Sequence, residues 1–279
     1  MTELKSQTDA MKNQRGFTLV ELAIVLVIIG LLLGAVLKGQ QMVENTRVIA
    51  TAADFNNIRA ATNNFRDRYQ AWPGDFNNAT TQLPTAQYPN ITVQDGDGNG
   101  IIGLNHVSLG VALTDTPATD GENFGFWRHL RVAGLLNKPR QASNTQSLTA
   151  PGTGAGAAAE NSPVYGELLP AGRFGGGFSV LYGLDLSGSR HTHWLRLAAG
   201  TGLLGTDATA PPSAALTSNE AYALDLKMDD GNPYTGRVQS GAANDTTCAS
   251  TVYSSSTVTS AAYNHSDQIS CWIISDLQM

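Results

Sequence analysis

A single charged residue, Glu21, lies in an otherwise almost wholly apolar stretch at residues 17–37. A carboxylate in such surroundings is costly unless it is neutralised or paired, so its presence indicates a function. Lys12 and Arg15 are the nearest basic residues that could pair with it within one chain. A cut immediately before Phe17 would create another partner, the new α-amino group, because residues i and i+4 share one face of a helix. That amine could meet the Glu21 carboxylate of its own chain or of a neighbouring copy.

A second set of residues with the chemistry of a binding site is the run DGDGNG at residues 95–100. The oxygen side chains of Asp95, Asp97 and Asn99 alternate with glycines, as in the first half of an EF-hand calcium loop. The second half departs from that pattern, because the twelfth position is His106 instead of a glutamate. The sequence therefore leaves two interpretations open, a Ca²⁺ site that a distant acid must complete and a tight Asp/Asn/Gly turn. The acids that could complete it are Asp115, Asp120 and Glu122.

The histidines offer a weaker metal pattern. His191 and His193 are two residues apart on a predicted strand, so their imidazoles face the same side. The sequence offers no third ligand beside them, and we expect both to be exposed strand residues. His129 lies among arginines on a predicted helix and is expected at the surface. Because the common nucleophile, phosphate-loop and zinc-protease motifs are all lacking, we expect neither enzymatic activity nor a required cofactor.

One long helix must position the N-terminal residues. About 20 apolar residues suffice to cross a bilayer, which residues 17–37 provide. From Lys38 the pattern becomes amphipathic, with apolar residues at steps of three and four and polar residues such as Arg59 between them. The apolar stripe consists of Val48, Ala52, Phe55, Ile58, Thr62, Phe65 and Tyr69. The sequence WPGD at residues 72–75 ends the predicted helix.

Shorter elements follow. We predict helices over residues 122–136 and 221–228, and strands over 178–182, 192–198, 234–239 and 270–275. The spacing of Thr217 and Glu220 is that of a capping box at the start of the second of these helices. The acidic turn Asp229-Asp230 that ends it is a candidate second cation site, although a helix stop is the simpler explanation. Residues 141–160, rich in small residues, predict a flexible loop or insertion.

Charge and cysteine content indicate the compartment. Basic residues precede the apolar stretch, so the N-terminus is expected in the cytoplasm and the bulk of the chain on the other side. The formal net charge of −6 does not favour nucleic-acid binding. The two cysteines, Cys248 and Cys271, lie in the translocated part, where an oxidising environment favours a disulfide. Such a bridge would stabilise the fold by about 3 kcal/mol, and two buried free thiols are the alternative.

The sequence KNQRG at residues 12–16, followed by FTLVE at residues 17–21, resembles the processing site of type IV prepilins and type II secretion pseudopilins. The resemblance implies that a prepilin peptidase cuts after Gly16 and N-methylates Phe17. It also implies that Glu21 guides assembly by meeting the terminal amine of a neighbouring subunit. Many members of this family have proline at the position of Lys38, where this chain departs from the pattern. Many also close a C-terminal loop with a disulfide, in agreement with the expected bridge.

The fold that the resemblance implies is α+β and pilin-like. A long N-terminal helix, half membrane-spanning and half amphipathic, would pack on an antiparallel sheet head with extra loops. The implied domains are a cleaved leader at 1–16, a transmembrane or filament-core helix at 17–37, the amphipathic half of that helix at 38–71, and a globular periplasmic or extracellular head at 72–279.

The implied function is that of a structural subunit of a type IV pilus or pseudopilus, serving adhesion, motility, DNA uptake or secretion. Its partners would be prepilin peptidase, copies of itself and other pilins or pseudopilins, the inner-membrane assembly platform and membrane lipid, with no specific nucleic acid. The chain would span the inner membrane of a Gram-negative bacterium once, then enter a periplasmic pseudopilus or a surface pilus. A type II secretion pseudopilin, a minor tip pilin, or an uncleaved anchored receptor or enzyme domain are the alternatives.

Overall fold

The computed structural model describes residues 17–88, 91, 93–102, 122–137, 169–186, 190–199, 214–241, 247–250 and 262–278. The chain divides into two compact units, Met1–Thr46 and Arg47–Met279, which are treated separately below. Several residues of the sequence predictions lie outside the described residues. These are the leader 1–16 with Gly16, the residues His106, Asp115 and Asp120, and the loop predicted over 141–160.

Helix α1 comprises Leu19–Tyr69 and contributes to both units. In the first unit, every described residue from Phe17 to Thr46 is exposed, including the apolar ones. Among the described residues, α1 is the one helix long and apolar enough to span a membrane, and none of its most apolar part is buried within the chain. This half of the helix therefore presents apolar side chains on all sides.

In the second unit, α1 buries the predicted stripe. Six of its seven members are buried, and Tyr69 is partly buried. The buried members are Val48, Ala52, Phe55, Ile58, Thr62 and Phe65. The helix ends where Gln70 takes a left-handed conformation at φ 54°. The WPGD sequence follows directly, as predicted.

Five antiparallel strands form the sheet against which this part of α1 packs. They are β1 (Gly177–Leu184), β2 (His191–Ala198), β3 (Leu216–Thr217), β4 (Val238–Gly241) and β5 (Ile269–Asp276). Strand β5 is central, because Ile273 pairs with Leu197 of β2 on one side and with Ser240 of β4 on the other. Strand β3 pairs with the beginning of β5, and β1 pairs with β2. The α+β class with a long N-terminal helix and an antiparallel sheet is thus confirmed.

The remaining helices are short. They are α2 (Ala79–Gln82), a 3₁₀ turn at Thr85–Gln87, α3 (Glu122–Val132) and α4 (Ser218–Met228). Helix α3 ends before the predicted residue 136 because Gly134 takes a left-handed conformation at φ 74°. The predicted capping box of α4 is confirmed, since the Glu220 amide donates to Thr217 Oγ1 and the Thr217 amide donates to Glu220 Oε2. The strand predicted over 234–239 begins only at Val238, after a turn in which the Thr235 amide donates to the Asn232 carbonyl.

The core lies between α1 and the sheet. Phe55 of α1 meets Phe178 of β1 edge to face, with ring centroids 5.0 Å apart. Cys248 and Cys271 are both buried and form a disulfide, which attaches the segment 247–250 to β5. The aromatic contact therefore joins the helix to the sheet, whereas the disulfide joins a distant segment of the chain to the central strand.

Candidate assembly residues and a candidate cation site

The start of α1 holds the Glu21 carboxylate in a capping box. Thr18 precedes the first helical residue, and its amide and hydroxyl both donate to Glu21 Oε2, at 2.8 and 3.0 Å. The Glu21 amide donates in return to Thr18 Oγ1 at 3.2 Å. This arrangement satisfies free amides of the first turn and places the carboxylate at the positive end of the helix. The capping role of Thr18 was not predicted from the sequence, although Thr-x-x-Glu is the signature of this motif.

Glu21 and Phe17 are both available to other molecules. Phe17 is 80% exposed, and Glu21 is also exposed. Within the described part of the chain, Thr18 is the hydrogen-bond partner of the Glu21 carboxylate. The geometry thus presents an acid one turn from residue 17, on an otherwise apolar helix end.

The DGDGNG loop turns Asp95 away from Asp97 and Asn99, whose side chains bond each other. Asp95 turns towards α2, where its carboxylate accepts hydrogen bonds from the amide and hydroxyl of Thr80. Asp97 accepts from the amide and side-chain nitrogen of Asn99 at 2.9 and 2.7 Å. Asn99 Oδ1 in turn accepts from the Ile101 amide. The loop is therefore an Asp/Asn turn, and the three predicted ligands do not converge on one point by themselves.

Asp97 instead meets two acids from other segments. One carboxylate oxygen each of Asp75, Asp97 and Glu122 lie within 4.8 Å of one another. Asp75 follows the end of α1, and Glu122 is the first residue of α3. Glu122 thus folds back to the loop, as one of the completing acids considered above. Asp75 was missed because its WPGD context indicates only a helix end.

Backbone hydrogen bonds hold the three segments together. The amides of Gly96 and Gly98 donate to the carbonyls of Phe76 and Asp75, each at 3.0 Å. The Gly100 amide donates to Asp75 Oδ2 at 2.9 Å, and the Asp97 amide donates to Glu122 Oε1 at 3.0 Å. Close approach of these backbones requires glycine. A Cβ at Gly74 or Gly96 would collide with backbone atoms of Glu122 or of residues 74 and 75, respectively.

The electrostatics of the acidic group are unfavourable without a counter-charge. Asp75 is only 3% exposed, and its Oδ1 has no hydrogen-bond partner among the described residues. The pKa of Asp75 is raised to about 6, mainly by burial and further by the nearby Asp97 carboxylate. The hydrogen bond from the Gly100 amide has the opposite, smaller effect and lowers this pKa. Buried polar atoms without a partner are rare and call for an explanation.

Two histidines expected at the surface are buried. His129 Nδ1 accepts from the Gly74 amide at 2.9 Å, and its Nε2 lies 2.8 Å from the Gln94 carbonyl. His193 Nε2 accepts from the Ile102 amide at 3.2 Å, and its ring packs on Trp72. Burial lowers the pKa of His129 to about 4 and that of His193 to about 3. The expectation was wrong because each imidazole fills the core while bonding backbone groups of a passing loop.

His191, in contrast, is exposed as expected and stacks on Tyr182. Among the described residues, neither His191 nor His193 belongs to a group of three metal-type side chains. The expectation of two exposed strand residues is therefore correct for His191 and wrong for His193.

A second acidic group, Asp225, Asp229 and Asp230, organises the turn after α4. The Asp225 carboxylate accepts from the Tyr263 hydroxyl at 2.8 Å and from the Gly231 amide at 3.3 Å. Asp229 accepts from two backbone amides at the start of β4, and Asp230 from the Asn232 amide and the Thr235 hydroxyl. Protein donors therefore satisfy these carboxylates, which supports the simpler explanation of a helix stop.

The N-terminal segment matches a known family model. Residues 11–37 match the model described as the prokaryotic N-terminal methylation motif. Comparisons with curated proteins and with solved structures give no match. The matched residues include Gly16, Phe17 and Glu21 and the apolar half of α1. The chain therefore carries at its N-terminus the methylation motif of type IV prepilins and pseudopilins.

Proposed function

We propose that this chain is a structural, pilin-like subunit that assembles into a type IV pilus or pseudopilus filament. Prepilin peptidase cleaves it after Gly16 and N-methylates Phe17. The subunit then joins copies of itself and other pilins or pseudopilins through the inner-membrane assembly platform. The observation that carries the proposal is the match of residues 11–37 to the N-terminal methylation motif.

The exposed apolar half of α1 supports this proposal. From Phe17 to Leu37 no side chain is buried within the chain, although nearly all are apolar. Such a surface must be covered, first by lipid and then by other helices, and a helix satisfies its own backbone groups in both settings. Lateral packing of these helices, repeated without closure, produces an open filament. The unit Arg47–Met279 would then supply the filament surface.

Glu21 has a defined part in this scheme. Cleavage before Phe17 creates an amine next to the Thr18 cap that holds the carboxylate. In the low dielectric of a helix bundle, an unpaired carboxylate is strongly disfavoured, so each subunit needs an amine from its own chain or from a neighbour. This requirement favours the alignment of neighbouring helices in which the carboxylate and the amine neutralise each other.

The N-terminus of the processed protein tests the proposal. We expect intact-mass and peptide mass spectrometry of the protein isolated from membranes, or from sheared filaments, to give an N-methylated Phe17. The Gly16→Val variant should retain its leader, because the added side chain obstructs the peptidase. A membrane-isolated wild-type protein that keeps residues 1–16 while it functions would contradict the proposal and favour an anchored receptor or enzyme domain.

A minor tip pilin or a type II secretion pseudopilin is a second candidate within the same class. The size of the region 72–279, with its small-residue run at 141–160, favours such a role over that of the main subunit. The copy number of the chain in purified filaments distinguishes them, since a main subunit forms most of the filament mass and a minor one a small fraction of it.

A further inference from the structure

The group formed by Asp75, Asp97 and Glu122 brings together three segments that are distant in the sequence. One oxygen of each carboxylate lies within 4.8 Å of the other two, although only Asp97 belongs to the DGDGNG loop. Two oxygens bound to one Ca²⁺ ion lie at most about 5 Å apart, because each Ca–O bond is roughly 2.4 Å long. The three oxygens are therefore close enough to surround a single ion.

Asp75 supplies an independent observation that points to a ligand. Its side chain is 3% exposed, and within the described residues its Oδ1 atom receives no hydrogen bond. The other oxygen, Oδ2, is occupied by the Gly100 amide. In a carboxylate that lies beside two further acids, a buried oxygen without a donor gains a favourable partner only from a proton or a cation. The raised pKa of Asp75 has the same cause, since burial and the Asp97 charge both oppose its ionisation.

From this geometry we infer that Asp75, Asp97 and Glu122 bind a divalent cation of the Ca²⁺ type. All three ligands are hard carboxylate oxygens, which disfavours zinc and copper. Calcium accepts six to eight oxygens in a flexible arrangement, whereas magnesium requires near-ideal octahedral geometry and gives up its waters reluctantly. Water and other oxygens of the surrounding loops would complete the coordination.

The site joins the end of α1, the DGDGNG loop and the start of α3. Its ion would cancel the repulsion among the three carboxylates and would strengthen the backbone contacts of Gly98 and Gly100 to Asp75. This inference goes beyond the proposed function, because it concerns the unit Arg47–Met279 and holds whether or not the chain forms filaments. A chain that binds no calcium could still form filaments, and a chain that forms no filaments could still bind calcium.

Two other acids, Asp95 and Asp229, serve as internal contrasts. Asp95 belongs to the same loop, but its carboxylate is bonded by Thr80. Asp229, in the second acidic group, is bonded by backbone amides of β4. Unlike Asp75, neither residue has a buried carboxylate oxygen that lacks a hydrogen-bond donor among the described residues. Asp95 and Asp229 therefore provide matched controls of the same chemistry.

The first test is the calcium dependence of the melting temperature of the full chain in detergent. The protein is stripped with EDTA, and CaCl₂ or MgCl₂ is added at equal concentration. We expect calcium to raise the melting temperature by several degrees, magnesium to raise it less, and titration calorimetry to give one Ca²⁺ per chain. The absence of any calcium-induced shift in the wild-type protein would overturn the inference.

The second test compares the variants Asp75→Asn and Asp95→Asn. Asp75→Asn removes one charge at constant shape, so its calcium affinity should fall on the order of tenfold or more. Without calcium it should melt no lower than the wild type, because an unpaired buried charge has been removed. Asp95→Asn and Asp229→Asn should retain the full calcium shift.

Retention of the full shift by Asp75→Asn, or its loss only in Asp95→Asn, would overturn the assignment of the ligands. Glu122→Gln provides a second variant should Asp75→Asn fail to fold, and it too should lose affinity on the order of tenfold. A wild-type affinity in Glu122→Gln would exclude the convergent site.

Discussion

At the scale of single residues, the proposed cleavage would give Glu21 two partners at different times. In the described chain Thr18 caps the helix and holds the carboxylate through its amide and hydroxyl. After the proposed cleavage, the amine of Phe17 would become a charged alternative. The cap needs only a hydrogen-bond acceptor, whereas the proposed assembly contact needs a negative charge. Glutamine and alanine at this position therefore separate the two roles.

We expect Glu21→Gln and Glu21→Ala both to be cleaved normally and to assemble poorly. Glutamine keeps an acceptor for Thr18 but cannot neutralise an amine, so filament yield should fall on the order of tenfold or more in both variants. Yield is measured by shearing filaments from cells that hold equal amounts of processed subunit. Glu44→Gln, an exposed change on the same helix, should assemble like the wild type. Normal yield from Glu21→Gln would show that the charge is not required.

At the scale of elements, Arg59 connects α1 to the central strand. Its side chain is buried, its Nε atom donates to the Asp276 carbonyl at 2.7 Å, and its terminal nitrogen donates to the Ser275 hydroxyl. The sequence places Arg59 among the polar residues between the members of the apolar stripe, which indicates a solvent-facing position. The structure shows instead that the long side chain crosses the core margin and bonds the last two residues of β5. Burial lowers the pKa of its guanidinium from the ordinary value, with a smaller contribution from the Arg237 charge.

The Arg59→Met variant should lower the free energy of unfolding by about 1–3 kcal/mol. Methionine keeps much of the apolar packing but leaves the buried Asp276 carbonyl without this donor. Denaturant unfolding of the purified chain measures the change. Arg47→Met, at an exposed position of the same helix, should change stability by no more than about 0.5 kcal/mol. Equal effects of the two substitutions would show that the buried hydrogen bonds contribute nothing measurable.

At the scale of the whole molecule, two buried titratable groups in the unit Arg47–Met279 have opposite effects on how stability depends on pH. His193 is neutral in the core because burial lowers its pKa to about 3. Its contribution to stability therefore declines as the pH falls below about 6.5, where the unfolded imidazole gains a proton. Asp225 behaves in the opposite way, since burial raises its pKa to about 7. Its contribution declines as the pH rises from about 4 towards 7, where the unfolded carboxylate is already ionised.

The variants His193→Gln and Asp225→Asn should change the pH dependence of the unfolding free energy in opposite directions. Relative to the wild type, the unfolding free energy of His193→Gln should increase as the pH falls from 6.5 towards 4. That of Asp225→Asn should increase as the pH rises from 4 to 7. In each case the difference in unfolding free energy between variant and wild type should change by at most about 1.4 kcal/mol per pH unit. Urea unfolding at a series of pH values in EDTA measures both, and parallel pH profiles for wild type and variants would refute the assignment.

The sequence by itself determined the features that depend on near neighbours in the chain. The methylation motif, the long α1, the Thr217–Glu220 capping box and three of the strands follow from residue types at fixed short spacings. Helical and strand periodicities depend on positions three, four or two residues apart, and the sequence displays these directly. The charge of Glu21 in an apolar stretch belongs to the same class of local signal.

Tertiary structure alone decided which distant residues meet. The DGDGNG spacing drew attention to Asp95, Asp97 and Asn99, whereas packing of three segments joined only Asp97 of these to Asp75 and Glu122. The same packing buried His129 and His193, which were expected at the surface from the sequence. Such contacts depend on how the loops between elements return to the core, and that outcome is set by the free energy of the whole packed unit. Local patterns therefore identified the N-terminal motif, and only the fold located the candidate cation site.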